Sequence, residues 1–176
     1  MKKLVTLLAV IFISACARTP VMIERIPFNE AEFLALPASG SATVTGKAFI
    51  KTTEGTIHFA QNEQVRLNPK TSYSQQWYEV NYLGNTNITD ADPRYLNYVR
   101  KATVDEKGIF TFSNVPAGDY YISVPVFWFN DIKMEDGSIY KQRLGKFICY
   151  EIHVVEGQTT VAEITTSKPF NVALSM

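Results

Sequence analysis

Hydrophobic and polar positions change their pattern twice along the chain. Residues 4 to 13 are apolar except for Thr6. Residues 16 to 40 carry Pro20, Pro27, Pro37 and Gly40 and show no strand-like alternation, the texture of a tether. One short helix is expected inside it, with Asn29 as N-cap, Glu30 and Glu32 in the first turn, Phe33, Leu34 and Leu36 as the apolar side, and Pro37 as the stop. From Ser41 onward, short runs of Val, Ile, Thr, Phe and Tyr are punctuated by Gly and Pro, an all-β pattern. The expected strands are Ala42 to Lys51, Thr56 to Phe59, Gln64 to Asn68, Val99 to Val104, Ile109 to Ser113, Asp119 to Phe127, Phe147 to Val155, Thr159 to Thr165 and Phe170 to Leu174.

Alternation places Phe110 and Phe112 on one face, and sets Ile148, Tyr150, Ile152 and Val154 against Glu151 and His153. One-sided alternation suits sheets packed face to face, so residues 41 to 176 are expected to form a single antiparallel β-sandwich. Two stretches exceed a minimal sandwich. Residues 71 to 100 hold Tyr73, Trp77, Tyr78, Tyr82, Tyr95 and Tyr98 around a Gly84-Asn85-Thr86-Asn87 turn, with Asp92-Pro93 set to start a short helix. Residues 128 to 146 hold Asp136-Gly137, a type I′ turn signal, between 132–134 and 139–141, and predict a second, smaller hairpin.

Composition narrows the function. A chain of 176 residues, 46% hydrophobic and 12% aromatic, supports one domain with a real core. Seventeen basic residues balance seventeen acidic ones, so no field exists to gather nucleic acid. With only two His and two Cys, no catalytic constellation can be assembled, and neither an enzyme nor a cofactor is expected.

The start of the chain is an address. Lys2 and Lys3, the apolar run, then Ser14 and Ala15 make a signal peptide over residues 1 to 15. The run is about half the roughly twenty residues that a membrane span requires. Ile13-Ser14-Ala15-Cys16 resembles the bacterial lipobox, which implies that Cys16 is lipidated and becomes the mature first residue. Each buried methylene of an acyl chain contributes about 0.8 kcal/mol, so two or three chains anchor firmly in membrane lipid. Ala17 follows where the inner-membrane retention signal would place Asp, so the resemblance implies the outer membrane, with the face left open.

The run Val104-Asp105-Glu106-Lys107-Gly108-Ile109-Phe110-Thr111-Phe112-Ser113-Asn114-Val115-Pro116-Ala117-Gly118-Asp119-Tyr120-Tyr121 resembles the core motif of carboxypeptidase regulatory-like domains. Gly46 to Phe49 followed by Gln64 to Ser74 looks like the paired opening strands of a lipoprotein subset, and Val155 to Val161 is similar to the closing hairpin. The resemblance covers roughly residues 40 to 166. It implies a transthyretin-like sandwich that serves as a stalk, adhesion or assembly module and carries no catalytic residue.

His153-Val154-Val155-Glu156 matches a zinc-binding His-x-x-Glu pair, but no later His completes three ligands, and alternation turns His153 outward beside Glu151. His58, between Ile57 and Phe59, reads as a strand histidine. Gly40 to Lys47 misses phosphate-loop spacing by one residue. Asp90 and Asp92 lack further calcium ligands and read as helix capping. Cys149, left without a partner, is sequestered, paired between molecules or reactive.

The tyrosine-rich segment carries the best interaction candidates: Tyr78, Tyr82, Asn85, Asn87 and Tyr95. Its aromatic residues either pack down as a strap over the sandwich, as expected of Tyr73 and Trp77, or form a binding face. The leading expectation is a non-enzymatic outer-membrane lipoprotein acting as an envelope structural or protein-interaction module. The alternative is a periplasmic carbohydrate or peptidoglycan binder that uses the 71 to 100 loop.

Overall fold

The alternating strands form two sheets packed face to face. The computed structural model describes residues 22–166, so the signal peptide, Cys16 and the expected strand at Phe170 to Leu174 lie outside the described residues. In chain order the elements are β1 (Met22–Ile23), α1 (Glu30–Leu34), β2 (Ala42–Lys51), β3 (Ile57–Phe59), β4 (Gln64–Pro69) and α2 (Ser72–Gln76). A π-helical stretch (Trp77–Leu83), β5 (Asn87–Ile88) and a 3-10 helix (Pro93–Tyr98) follow. The last strands are β6 (Arg100–Thr103), β7 (Ile109–Val115), β8 (Gly118–Lys133), β9 (Ile139–Val154) and β10 (Thr159–Ile164).

In the first sheet β2 is the hub. β7 lies antiparallel along its first part, β3 pairs with its last three residues, and β10 runs parallel to it. The second sheet has the order β6-β4-β8-β9, antiparallel throughout. Between the sheets, Val44 and Ile50 of β2, Leu67 of β4, Phe110 and Phe112 of β7, Ile122 and Val124 of β8 and Ile148 of β9 belong to one buried cluster. Burying each such side chain contributes about 1.5–3 kcal/mol, so the face assigned to Phe110 and Phe112 drives the fold.

The corner joining β7 to β8 explains the residues of the central motif. Asp105 Oδ1 accepts from the Lys107 and Ile109 amides at 2.9 and 2.7 Å and shapes the turn into β7. Gly118 sits at φ +145°, and the Tyr120 hydroxyl donates to the Pro116 carbonyl at 3.0 Å, fastening the corner. Glu156 closes it from the other end, accepting from the Ser41 amide and hydroxyl and from the Ala117 amide.

Several expectations change. β2 and β4 are not paired, because they belong to opposite sheets. Residues 155–161 form a corner rather than a closing hairpin: β10 crosses to the first sheet and spends its ladder bonds on β2, which makes this one pairing of the sandwich parallel. The separate hairpin at 132–141 is the far end of a continuous ladder from Gly118↔Val154 to Lys133↔Ile139, since no residue between interrupts the pairing. At its tip the Gly137 amide donates to Met134 O and positive φ falls on Gly137 and not on Asp136. The turn is therefore a type I turn followed by a left-handed glycine, not type I′, which needs positive φ at both central residues.

From Met22 on, the segment read as a tether lies against the domain. Phe33 of α1 is buried and stacks on Phe28 with centroids 4.8 Å apart, and its ring meets Tyr98 at the same distance. Its α-helix forms where expected, although the Asn29 side chain makes no capping bond.

Two substitutions test this arrangement in thermal and denaturant melts. Phe110→Ala should cost about 3–5 kcal/mol, while Thr111→Ala, exposed on the other face, should cost far less. Gly46 has no room for a side chain, since a Cβ would collide with the Ala162 carbonyl of β10 and come within 2.9 Å of the Phe110 ring. Gly46→Ala should therefore destabilise by about 1–3 kcal/mol through overpacking.

Candidate functional site: a cleft beneath an aromatic strap

Strand alternation would leave Tyr121 and Ser123 on the outer face of the second sheet, yet their relative exposures are 1% and 2%. The cover is the segment between β4 and β6. It begins as a helix because Thr71 and Ser74 form a reciprocal capping box, the Thr71 hydroxyl accepting from the Ser74 amide and the Ser74 hydroxyl from the Thr71 amide. The helix then widens into the π-helical stretch, which Gly84 ends by donating to the Glu79 carbonyl.

Aromatic contacts seat this strap on the sheet. Tyr78 stacks on Tyr121 with centroids 4.4 Å apart, and Trp77 and Tyr82 meet Phe147 of β9 edge-on at 5.9 and 6.1 Å. On the edge strand β9, the Cys149 amide donates to the Tyr82 hydroxyl at 3.0 Å. Tyr73, buried, accepts from the Asp92 amide through its hydroxyl at 2.7 Å, and the Tyr95 hydroxyl donates to Asn68 Oδ1 at 3.0 Å. From the side, Glu32 of α1 accepts from both the amide and the hydroxyl of Ser72, and Gln76 bonds the Glu24 carbonyl and the Ile26 amide.

The strap does not lie flat. Between it and the outer sheet face a cleft of about 670 Å³ remains, a size typical of small-ligand sites. Trp77, Tyr82 and Phe147 form its aromatic side, Asn68, Asn81, Asn85 and Asn87 supply amides, and Arg66, Lys101 and Ser123 contribute from the sheet. Of the candidates read from the sequence, Tyr82, Asn85, Asn87 and Tyr95 all line this cleft, whereas Tyr78 is spent on Tyr121. Tyr73 packs down as expected of the strap, but Trp77, expected to do the same, is only half-buried and lines the cleft; Arg25, Arg66, Asn81 and Lys101 are lining residues that the sequence does not single out. The Gln64-Arg66-Asn68 alternation marks a polar face, but only strand order shows that the strap buries Asn68 while Arg66 lines the cleft and stays exposed.

The remaining reactive side chains lie elsewhere. His153 Nδ1 is 2.7 Å from Asp119 Oδ1, its cross-strand partner, on the exposed surface. His58 stacks on Trp128 at 5.0 Å. Cys149 is buried, and burial pushes its thiol well above the ordinary value. Asp92 caps the 3-10 helix through the Arg94 amide, and the Arg94 side chain holds its carboxyl down at about 2.

No family profile matches the chain, and no curated protein does. Among solved structures, the chain is similar to a Pseudomonas aeruginosa protein provisionally described as a carbohydrate binding protein, with 28% identity, 81% of this chain and 99% of that chain covered, and a TM-score of 0.65. It also aligns with the minor pilin of Streptococcus agalactiae (11% identity, 78% and 49% covered, TM-score 0.33). The major pilin subunit of Bacillus cereus gives 20% identity, 74% and 31% covered, and a TM-score of 0.30. The chain thus spans less than half the length of either pilin.

Tyr73→Ala should cost about 3–5 kcal/mol in denaturant melts, while Trp77→Ala, half-buried on the cleft wall, should cost clearly less. Burial raises the phenols of Tyr78, Tyr82, Tyr95 and Tyr121 above their ordinary value, Tyr121 being pushed up to about 12 with help from Glu151. Because the folded values lie above the unfolded one, these groups contribute fully below about pH 10, and their contribution is lost as pH rises through the folded values. Denaturant melts should show stability falling between pH 10 and 12, with tyrosinate absorbance rising late in the native protein.

Proposed function

We propose that this protein is a non-catalytic glycan-binding lipoprotein of the bacterial outer membrane, held by an acylated Cys16. The observation that carries the binding function is the cleft: aromatic faces opposed to a set of side-chain amides, on a scaffold fixed by partly buried hydrogen bonds. Sugars need this combination, because their C–H faces stack on aromatic rings while their hydroxyls exchange hydrogen bonds with amides that both donate and accept. The structural likeness to the P. aeruginosa protein, which spans nearly all of that chain, agrees with this reading.

We place the sandwich among carboxypeptidase regulatory-like domains on the strength of the 104–121 motif, whose Asp105, Pro116, Gly118 and Tyr120 form the turn and corner contacts. A protein-interaction role has one observation in its favour. The distal β8–β9 ribbon runs past the sandwich and exposes Phe129, Ile139 and Tyr140 at 61, 64 and 57%.

Retention on immobilised peptidoglycan and other envelope glycans tests the main function. Trp77→Ala should lose about tenfold or more in affinity, the order expected from losing one aromatic stacking platform, while still folding. Loss of retention only after removal of the distal ribbon would transfer the function to that surface. For the anchor, Cys16→Ser should abolish incorporation of a fatty-acid analogue, because serine cannot form the thioether. Equal labelling of both proteins would refute lipidation.

A further inference from the structure

The ionisable groups lining the cleft, apart from tyrosine, are all cationic: Arg25, Arg66 and Lys101, with no carboxylate among the described lining residues. Arg66 of β4 and Lys101 of β6 are direct cross-strand partners in antiparallel register. Like charges placed opposite one another destabilise a sheet, and the usual remedy is a neighbouring carboxylate. The next strands supply none: Ser123 of β8 stands opposite Arg66, and Cys149 of β9 stands opposite Ser123.

Three nearby carboxylates are engaged elsewhere, and Asp90 of the strap is exposed and does not line the cleft. Glu151 pairs with Lys70, while Asp92 and Glu30 pair with Arg94. Neither Arg66 nor Lys101 forms an ion pair or donates a side-chain hydrogen bond among the described residues. Across the cleft, Arg25 is fixed by donation from Nε to the Thr89 carbonyl at 2.6 Å and by its approach to the Tyr73 ring at 5.2 Å.

We propose that the cleft selects an anionic sugar residue. Its acidic group, a carboxylate or another oxyanion, occupies the space between Arg66 and Lys101, and its ring rests against Trp77 and Tyr82. The anion supplies the counter-charge that the sheet lacks, and the guanidinium fork of Arg66 matches the geometry of a carboxylate. Arg66 and Lys101 are both exposed, so the attraction acts close to solvent and is open to screening by salt. The inference rests on the carbohydrate-binding reading and adds the class of sugar.

Calorimetric titration of the purified full chain with four probes tests it: an oligogalacturonate, a heparin oligosaccharide, a neutral cello-oligosaccharide of matched length, and citrate. At least one of the two charged oligosaccharides should bind about tenfold or more tightly than the neutral one. The galacturonate and heparin arms distinguish a carboxylate from a sulfate as the preferred group. That preference should shrink as salt rises from about 0.05 to about 0.5 M.

Arg66→Gln and Lys101→Gln should each weaken binding of the charged oligosaccharides far more than binding of the neutral one, removing most of the charge preference, and should keep or raise the melting temperature, because each relieves the opposed charges. A merely structural role would lower it. Equal binding of charged and neutral oligosaccharides, unaltered in both variants, would overturn the anionic selectivity and leave carbohydrate binding standing. Binding of citrate with no oligosaccharide bound would overturn the sugar reading, and this proposal with it.

Discussion

The structure depends on burying β8 from both sides. From Tyr120 to Val124 this strand is buried continuously, with Tyr120, Ile122 and Val124 facing the sandwich core and Tyr121 and Ser123 facing the strap. A two-layer sandwich normally leaves one face of each sheet to water. Here the second sheet has a third layer on it, and the stack of Tyr78 on Tyr121 is where that layer touches down. Everything that shapes the cleft follows from this contact: the strap must reach β8 and β9 at one end and return to β6 at the other, and the span between those supports encloses space.

Legibility in the sequence followed the range of the interactions. Period-two alternation in Ile109–Phe112 and Ile148–Val154 is local, and it located the core face correctly. Apart from the short helix at Asp92-Pro93, the 71–100 segment reads as a loop when its aromatics are weighed by content rather than spacing. Tyr73 and Trp77, then Tyr78 and Tyr82, lie four residues apart, and Thr71 with Ser74 supplies the cap, so a helical signal was present. Strand order was not legible. Nothing local shows that β4 and β6 are neighbours, and so nothing local shows that Arg66 and Lys101 oppose each other. Half of the cleft comes from a loop whose chemistry could be listed, and half from a sheet face whose composition depends on topology.

The two halves of the molecule follow different rules. Inside the sandwich, polar atoms are few and the turns that redirect the chain are fixed by short bonds, such as Tyr120 to Pro116. Over the outer face, tyrosine hydroxyls do the fixing: Tyr73 with Asp92, Tyr82 with Cys149 and Tyr95 with Asn68. A phenol suits this place because one side chain provides apolar area for the sheet and a polar tip for a backbone or amide group. The same chemistry that holds the strap also lines the cleft, so the scaffold and the cleft wall are made of the same residue types.

The described chain begins at β1, whose partner is β5 of the strap and not a strand of the sandwich. Met22 and Ile23 pair with Asn87 and Ile88, and two residues on, the Arg25 amide and Nε bond Thr89. Asn87 and Arg25 both line the cleft. A pull delivered through the residues before Met22 therefore loads the cleft wall first and the two-sheet body only afterwards. The domain has, in effect, a mechanical handle attached to the cleft, and tension on the amino-terminal side reaches the cleft wall before it reaches the fold.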